Sequence, residues 1–182
     1  MSLLIDNLRD YAARFPTEQS KAHQFIDFLT RNNVASFDRE LREGHITGSA
    51  WLLNPALNSV LLTHHRKLDI WVQLGGHADG NTDAIGVAMQ EAQEESGITG
   101  IEILLQGSIL DIDRHTIPAR GNDPAHYHYD LRFALRAQTE SYIISQESKD
   151  LRWVPLEKIE MLSDEDSLLR MRDKWDALAK TL

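Results

Sequence analysis

Three glutamates, Glu91, Glu94 and Glu95, stand at i, i+3 and i+4. On a helix that spacing puts all three carboxylates on one face. Like charges so placed repel, at a cost of a few tenths of a kcal/mol per pair, and a bound divalent cation turns that cost into attraction. Hard carboxylate oxygens suit Mg²⁺, or Mn²⁺, and such ions clamp and neutralise a diphosphate. The plain alternative is a solvated acidic face, because glutamate prefers the surface.

A second polar constellation lies downstream. His126, His128, Asp130 and Arg132 alternate with Tyr127, Tyr129, Leu131 and Phe133, so a strand there has one ionisable face and one aromatic, apolar face. The apolar face belongs to the core. The other is costly to bury unpaired and must meet solvent or line a polar site. It reads either as substrate-site lining or as a structural hydrogen-bond network. His126 and His128 could also ligate zinc or another transition metal together with Asp130 or His115. His64, His65 and His77 are expected in loops around the Trp71 strand. The first two read as solvent-exposed, whereas His77, directly after Gly75 and Gly76, is a candidate for phosphate contact.

These residues need elements to hold them. Residues 82–96 form the clearest helix, with Ile85, Ala88, Met89 and Ala92 as its apolar stripe, Asn81 or Thr82 as its N-cap and Gly97 as its stop. Residues 1 to about 45 read as helical, with Leu3, Leu4, Leu8 and Tyr11 in one stripe. A second stripe of Ala22, Phe25, Ile26 and Leu29 restarts after Pro16. Strands are expected over Ala50–Leu53 and Val60–Thr63, around the turn at Asn54-Pro55, and over Ile70–Leu74. Further strands are expected over Ile101–Leu105, Ser108–Asp113, His126–Leu135 and Leu151–Val154. At the end, Ser163 with Asp166 has the spacing of a capping box. Leu168, Met171, Trp175, Leu178 and Leu182 then mark one packed helical face.

Composition narrows the function classes. A chain of 182 residues is expected to fold as one domain with room for a core. Its formal net charge of −9 opposes a nucleic-acid backbone, so a phosphate compound must be met through cations. Zero cysteines exclude a disulfide framework, a thiolate metal site and a cysteine nucleophile, which fits a reducing, cytoplasmic setting. Asp6, Arg9, Asp10 and Arg14 interrupt the N-terminus, so no signal peptide is read there. The uncharged run from Ile46 to Thr63 is broken by Asn54, Pro55 and Asn58, which argues for a hairpin and against a membrane span.

The stretch from Gly75 to Ile98 resembles the Nudix box, a loop–helix–loop written G-x5-E-x7-R-E-U-x-E-E-x-G-U with U bulky and aliphatic. Gly76, Glu91, Glu94, Glu95, Gly97 and Ile98 occupy matching positions. The preceding strands, the following strand pair and the run Arg152-Trp153-Val154-Pro155 are also similar to Nudix elements, so the likeness spans roughly residues 46–160. Thr82 stands where the first glutamate is expected, Gln90 replaces the arginine, and Ala92 is a small U. Asp83 is the nearest acid that could replace the first glutamate.

The resemblance implies an α/β Nudix fold, a mixed β-sheet sandwiched between helices. Helices over 1–45 would extend it at the N-terminus and a helix over 161–182 would close it. It also implies a pyrophosphohydrolase that uses Mg²⁺ to split the diphosphate linkage of a nucleoside diphosphate derivative or related small phosphate compound. Glu91, Glu94 and Glu95 would be metal-binding and catalytic, with the Gly75 carbonyl as a further metal ligand. Glu147, before the Arg152 strand, falls where many members carry a loop glutamate that serves as ligand or base. A similar His-x-His-x-Asp-x-Arg strand and Gly-Gly-His lead-in occur in a subgroup of the family, which places His77, His126, His128, Asp130 and Arg132 as substrate-binding candidates. Neither nucleic acid nor membrane is an expected partner, and a homodimer is compatible with the sequence. The rival readings are a Nudix domain that binds or regulates without turnover and a histidine-based metal module. An isomerase of the same fold would need a cysteine.

Overall fold

The computed structural model describes residues 1–121, 124–146 and 148–181. Two helices, α1 (Ser2–Arg14) and α2 (Gln19–Asn32), open the chain, separated by a short 3₁₀ turn at Pro16–Glu18. Strands β1 (Gly44–Leu53), β2 (Ser59–His65) and β3 (Trp71–His77) lead into α3 (Ala84–Ser96). Then come β4 (Glu102–Ile103), β5 (Ile109–Ile117), β6 (His126–Arg136), β7 (Ser148–Pro155) and α4 (Asp166–Leu178).

The seven strands form one mixed sheet in the order β4-β6-β1-β3-β2-β7, with β5 also paired to β6. The β1–β6 pair is parallel, in register from Gly44↔Tyr127 to Leu53↔Arg136, and the other pairs are antiparallel. Alternation along the strands gives the sheet two different faces. One packs under α3, where Ala50, Leu52, Leu61 and Leu74 meet Ala92 and Ile98. A neighbouring cluster joins α1 and α2 to β5 and β6 through Leu8, Tyr11, Phe25, Phe28, Ile112 and Tyr129. On the other face, α4 sets Leu168, Met171 and Trp175 against Trp51, Val60, Leu62 and Ala134. Among the described residues, no helix is long and apolar enough to cross a membrane.

The expected sheet between helices is present, and its edges differ in informative ways. Helicity stops before residue 45: a 3₁₀ segment closes at Phe37 and β1 begins at Gly44. β3 runs through Gly75 and Gly76, so His77 is its last strand residue and not a loop residue. His64 and His65 likewise end β2, and His64 stacks on Trp71 with ring centroids 5.1 Å apart. Helix α3 is capped by Asp83, whose carboxylate accepts from the Gly86 amide, while Asn81 accepts from the Asp83 amide instead of capping. The Ser163 capping box does not form either. The Ser163 hydroxyl accepts from the Glu165 amide, and α4 starts at Asp166 without a side-chain cap.

Candidate functional site

The end of β3 and the helix α3 hold the three glutamates. Gly97 closes α3 in the left-handed conformation at φ 70°, donating its amide to the Gln93 carbonyl, so the last helical turn is fixed where Glu94 and Glu95 stand. Glu95 is 7% exposed, and its Oε1 accepts a 2.8 Å hydrogen bond from the Gly75 amide. Glu91 lies against Gly76: a Cβ at that glycine would fall 2.4–2.6 Å from the Glu91 carboxylate. Only a residue without a side chain lets the carboxylate rest on the strand backbone. Glu94 is exposed and accepts 2.8 Å from the Gln90 amide group one turn earlier. Gln90 thus steadies a glutamate from the position where the motif has arginine, without supplying charge.

Asp83, the acid nearest Thr82, is committed to the helix cap and faces Gly86. Arg39, from the segment before β1, pairs with Asp79 in the loop after β3. Hydrogen bonding to Asp79 raises the Arg39 pKa above its ordinary value, and the charge of Glu91 adds to that. A guanidinium therefore stands within the field of the glutamate cluster, supplied from outside the box. Glu147 lies outside the described residues.

The polar strand face divides into two neighbourhoods. In its middle, Asp130 and Arg132 are each 3% exposed. Asp130 accepts from Thr47 (2.9 Å), Ser49 (2.7 Å) and Arg132 Nε (2.7 Å). Arg132 continues to Asp111, which also takes a two-pronged contact from Arg170 at 2.9 Å and the Lys174 ammonium at 2.6 Å. Burial pushes the Asp111 carboxyl up, but Arg170, Arg132 and Lys174 outweigh burial and hold it below its ordinary value. Asp130 and Arg132 are thus consumed by a closed network of buried charges, the arrangement under which such charges can be buried at all.

At the open end of the same face, five histidines gather from four adjacent strands. The registers Thr47↔His77, His45↔His128 and His115↔His128 bring β3, β1, β6 and β5 together there. Ring centroids are 5.0 Å apart for His45–His77, 4.7 Å for His45–His128 and 5.0 Å for His77–His128. His126 and His115 border this trio. Burial pushes the His45 pKa down to about 4 and that of His128 to about 2, with the neighbouring histidines lowering both further. These two imidazoles are therefore neutral near pH 7.

The sequence reading missed His45 and Arg39. His45 sat at the margin of the segment expected to be helical, and no local pattern distinguishes Arg39.

No family model matches the sequence, and no curated protein gives a significant match. Solved structures do match in fold. The Ap4A hydrolase of C. elegans in a binary complex aligns at 18% identity over 75% of this chain and 98% of that one, with a TM-score of 0.54. The Nudix hydrolase RenU of M. smegmatis aligns at 17% identity over 76% and 88%, with a TM-score of 0.56. A NUDIX-family hydrolase of Clostridium perfringens aligns at 23% identity over 75% and 98%, with a TM-score of 0.54. The chain has the fold of the Nudix hydrolases.

Proposed function

We propose that this protein is a Mg²⁺-dependent pyrophosphohydrolase that cleaves the diphosphate linkage of a nucleoside diphosphate derivative or a related small phosphate compound. The observation that carries this reading is the fastening of Glu91 and Glu95 onto Gly76 and Gly75. It holds carboxylates against a strand end that no side chain occupies.

The donors fit Mg²⁺. Glu91, Glu94 and the second carboxylate oxygen of Glu95 offer hard oxygens, and the Gly75 carbonyl, implied as a ligand by the Nudix motif, belongs to the residue that Glu95 grips through Oε1. Such a site suits Mn²⁺ as well. When bound, the ion neutralises charge on the phosphate oxygens.

The chain's own residues do the rest. Glu95 fixes the position of the Gly75 peptide. A glutamate, either Glu91, packed against Gly76, or Glu147, accepts the proton from the water that attacks phosphorus. Arg39 stands within the field of Glu91 while paired with Asp79, so the bound cation is what offsets the chain's net charge of −9 toward a phosphate compound. The products are a phosphate monoester and a second phosphate fragment.

The test is a panel of nucleoside diphosphate sugars, dinucleoside polyphosphates, ADP-ribose and nucleoside triphosphates, assayed for hydrolysis with and without Mg²⁺. At least one compound is cut only with the metal. Binding of one or more without hydrolysis, under Mg²⁺ and Mn²⁺ alike, would replace this reading with that of a binding domain.

A further inference from the structure

We propose that His45, His77 and His128 form a binding site for a zinc ion on the sheet face opposite α3. The proposal does not depend on the hydrolase reading. Each of β1, β3 and β6 contributes one imidazole, and one ligand atom from each lies within 4.8 Å of the others. Zn–N bonds of about 2.0–2.1 Å in a tetrahedron set the nitrogens about 3.4 Å apart. Closing the site therefore takes an approach of about 1.4 Å at most, within the reach of imidazole rotations.

An independent observation points to a ligand. His45 is 2% exposed, and neither of its ring nitrogens has a hydrogen-bond partner; His128 Nε2 is buried in the same condition. Each such atom forfeits the hydrogen bond it would make in water, and that loss is a cost to the folded state. Buried unsatisfied polar atoms are rare in native proteins, and an ion is one of the things that explain them. A leucine at position 45 would fill the space without that cost, so the imidazole is explained by what it binds.

The donor set selects the metal. The trio offers only imidazole nitrogens, which suit zinc and its neighbours in the transition series and not Mg²⁺. Hard and borderline cations would thus sort onto opposite faces of β3, to Glu91 beyond Gly76 and to His77.

The fourth position is left to water or to a bordering histidine. The His126 Nδ1 contacts the Pro124 carbonyl at 2.9 Å, which leaves Nε2 as the nitrogen able to ligate. Its ring is 5.1 Å from His45 and 5.4 Å from His128. His115 carries the complementary pairing of a ring nitrogen with Asp113 at 3.2 Å and stands 5.4 Å from His128. Histidines whose second nitrogen is held by a carboxylate or carbonyl are the usual surroundings of a metal.

The test uses the full-length protein stripped with a chelator and titrated with Zn²⁺ in excess Mg²⁺, so that the carboxylates are occupied. We expect one zinc per chain that survives dialysis and raises the melting temperature. We also expect the visible absorption of a four-coordinate, nitrogen-ligated ion when Co²⁺ is substituted. His77→Ala, at a half-buried strand end, should weaken zinc binding by roughly tenfold or more, whereas Glu94→Gln should bind zinc as the wild type does. The proposal is overturned if wild-type protein retains no zinc, if His77→Ala binds it unchanged, or if Glu94→Gln abolishes binding. Should His77→Ala fail to melt cooperatively, the wild-type Co²⁺ spectrum decides, and absence of four-coordinate absorption overturns the site. Failure to hydrolyse any diphosphate leaves each of these outcomes readable.

Discussion

The Gly75 amide donates a 2.8 Å hydrogen bond to Glu95 Oε1, so the end of β3 and the last turn of α3 are joined through a buried carboxylate. That bond fixes the Leu74–Gly75 peptide, one residue before the Gly76 against which Glu91 rests. Two of the three glutamates are therefore tied to the strand. Glu94 alone projects into solvent, steadied by Gln90.

Gly76→Ala tests the close approach. The added Cβ would sit 2.4–2.6 Å from the Glu91 carboxylate, so either Glu91 leaves or the strand shifts. Overpacking of this kind costs about 1–3 kcal/mol. Urea unfolding should show that loss, and turnover should fall with it. Unchanged stability and turnover would mean that Glu91 does not need its place on Gly76.

Gln90→Ala tests whether the missing arginine matters. The Gln90–Glu94 bond is an exposed i,i+4 contact, worth about 0.5 kcal/mol at most, or roughly twofold in an equilibrium. The variant should lose no more than about twofold in turnover, read from initial rates at saturating Mg²⁺. A loss of orders of magnitude would make Gln90 a partner in the chemistry.

Asp111→Asn tests the buried network. Removing one partner of a buried ion pair costs about 3–5 kcal/mol, and here Arg132, Arg170 and Lys174 would all be left facing an amide. Because the folded pKa of Asp111 lies below its ordinary value of 3.8, its contribution is fully present above that pH. It is lost as pH falls through the lower folded value. The stability gap between wild type and variant, from urea unfolding, should be constant above about pH 5 and narrow below pH 4. A gap that widens on acidification would reverse the sign argued here.

Much of this was legible in the sequence, for identifiable reasons. Helix α3 announces itself by its apolar stripe and by Gly97, and the i, i+3, i+4 glutamates follow from helical geometry alone. The N-cap was ambiguous because Asn81, Thr82 and Asp83 are all capable caps in succession, and only the backbone path selects Asp83. The alternation of β6 predicted one polar face. It could not predict that Asp130 and Arg132 would be enclosed while His128 joins His45 and His77, because that division is set by strand register. Asp111, Arg170 and Lys174 meet across 59 and 63 residues of chain, a separation no local pattern reports.

Glu95→Gln, in the Mg²⁺-dependent hydrolysis assay, tests whether the glutamate cluster holds a catalytic metal. The change keeps the side chain's shape and an oxygen able to accept from the Gly75 amide, so the fold should survive while the charge is lost. If the three carboxylates hold Mg²⁺ for diphosphate cleavage, turnover should fall by about a hundredfold or more, since a catalytic metal supplies several kcal/mol of transition-state stabilisation. The rise in melting temperature produced by Mg²⁺ should shrink in parallel. Wild-type turnover with an undiminished Mg²⁺ response in Glu95→Gln would contradict the account.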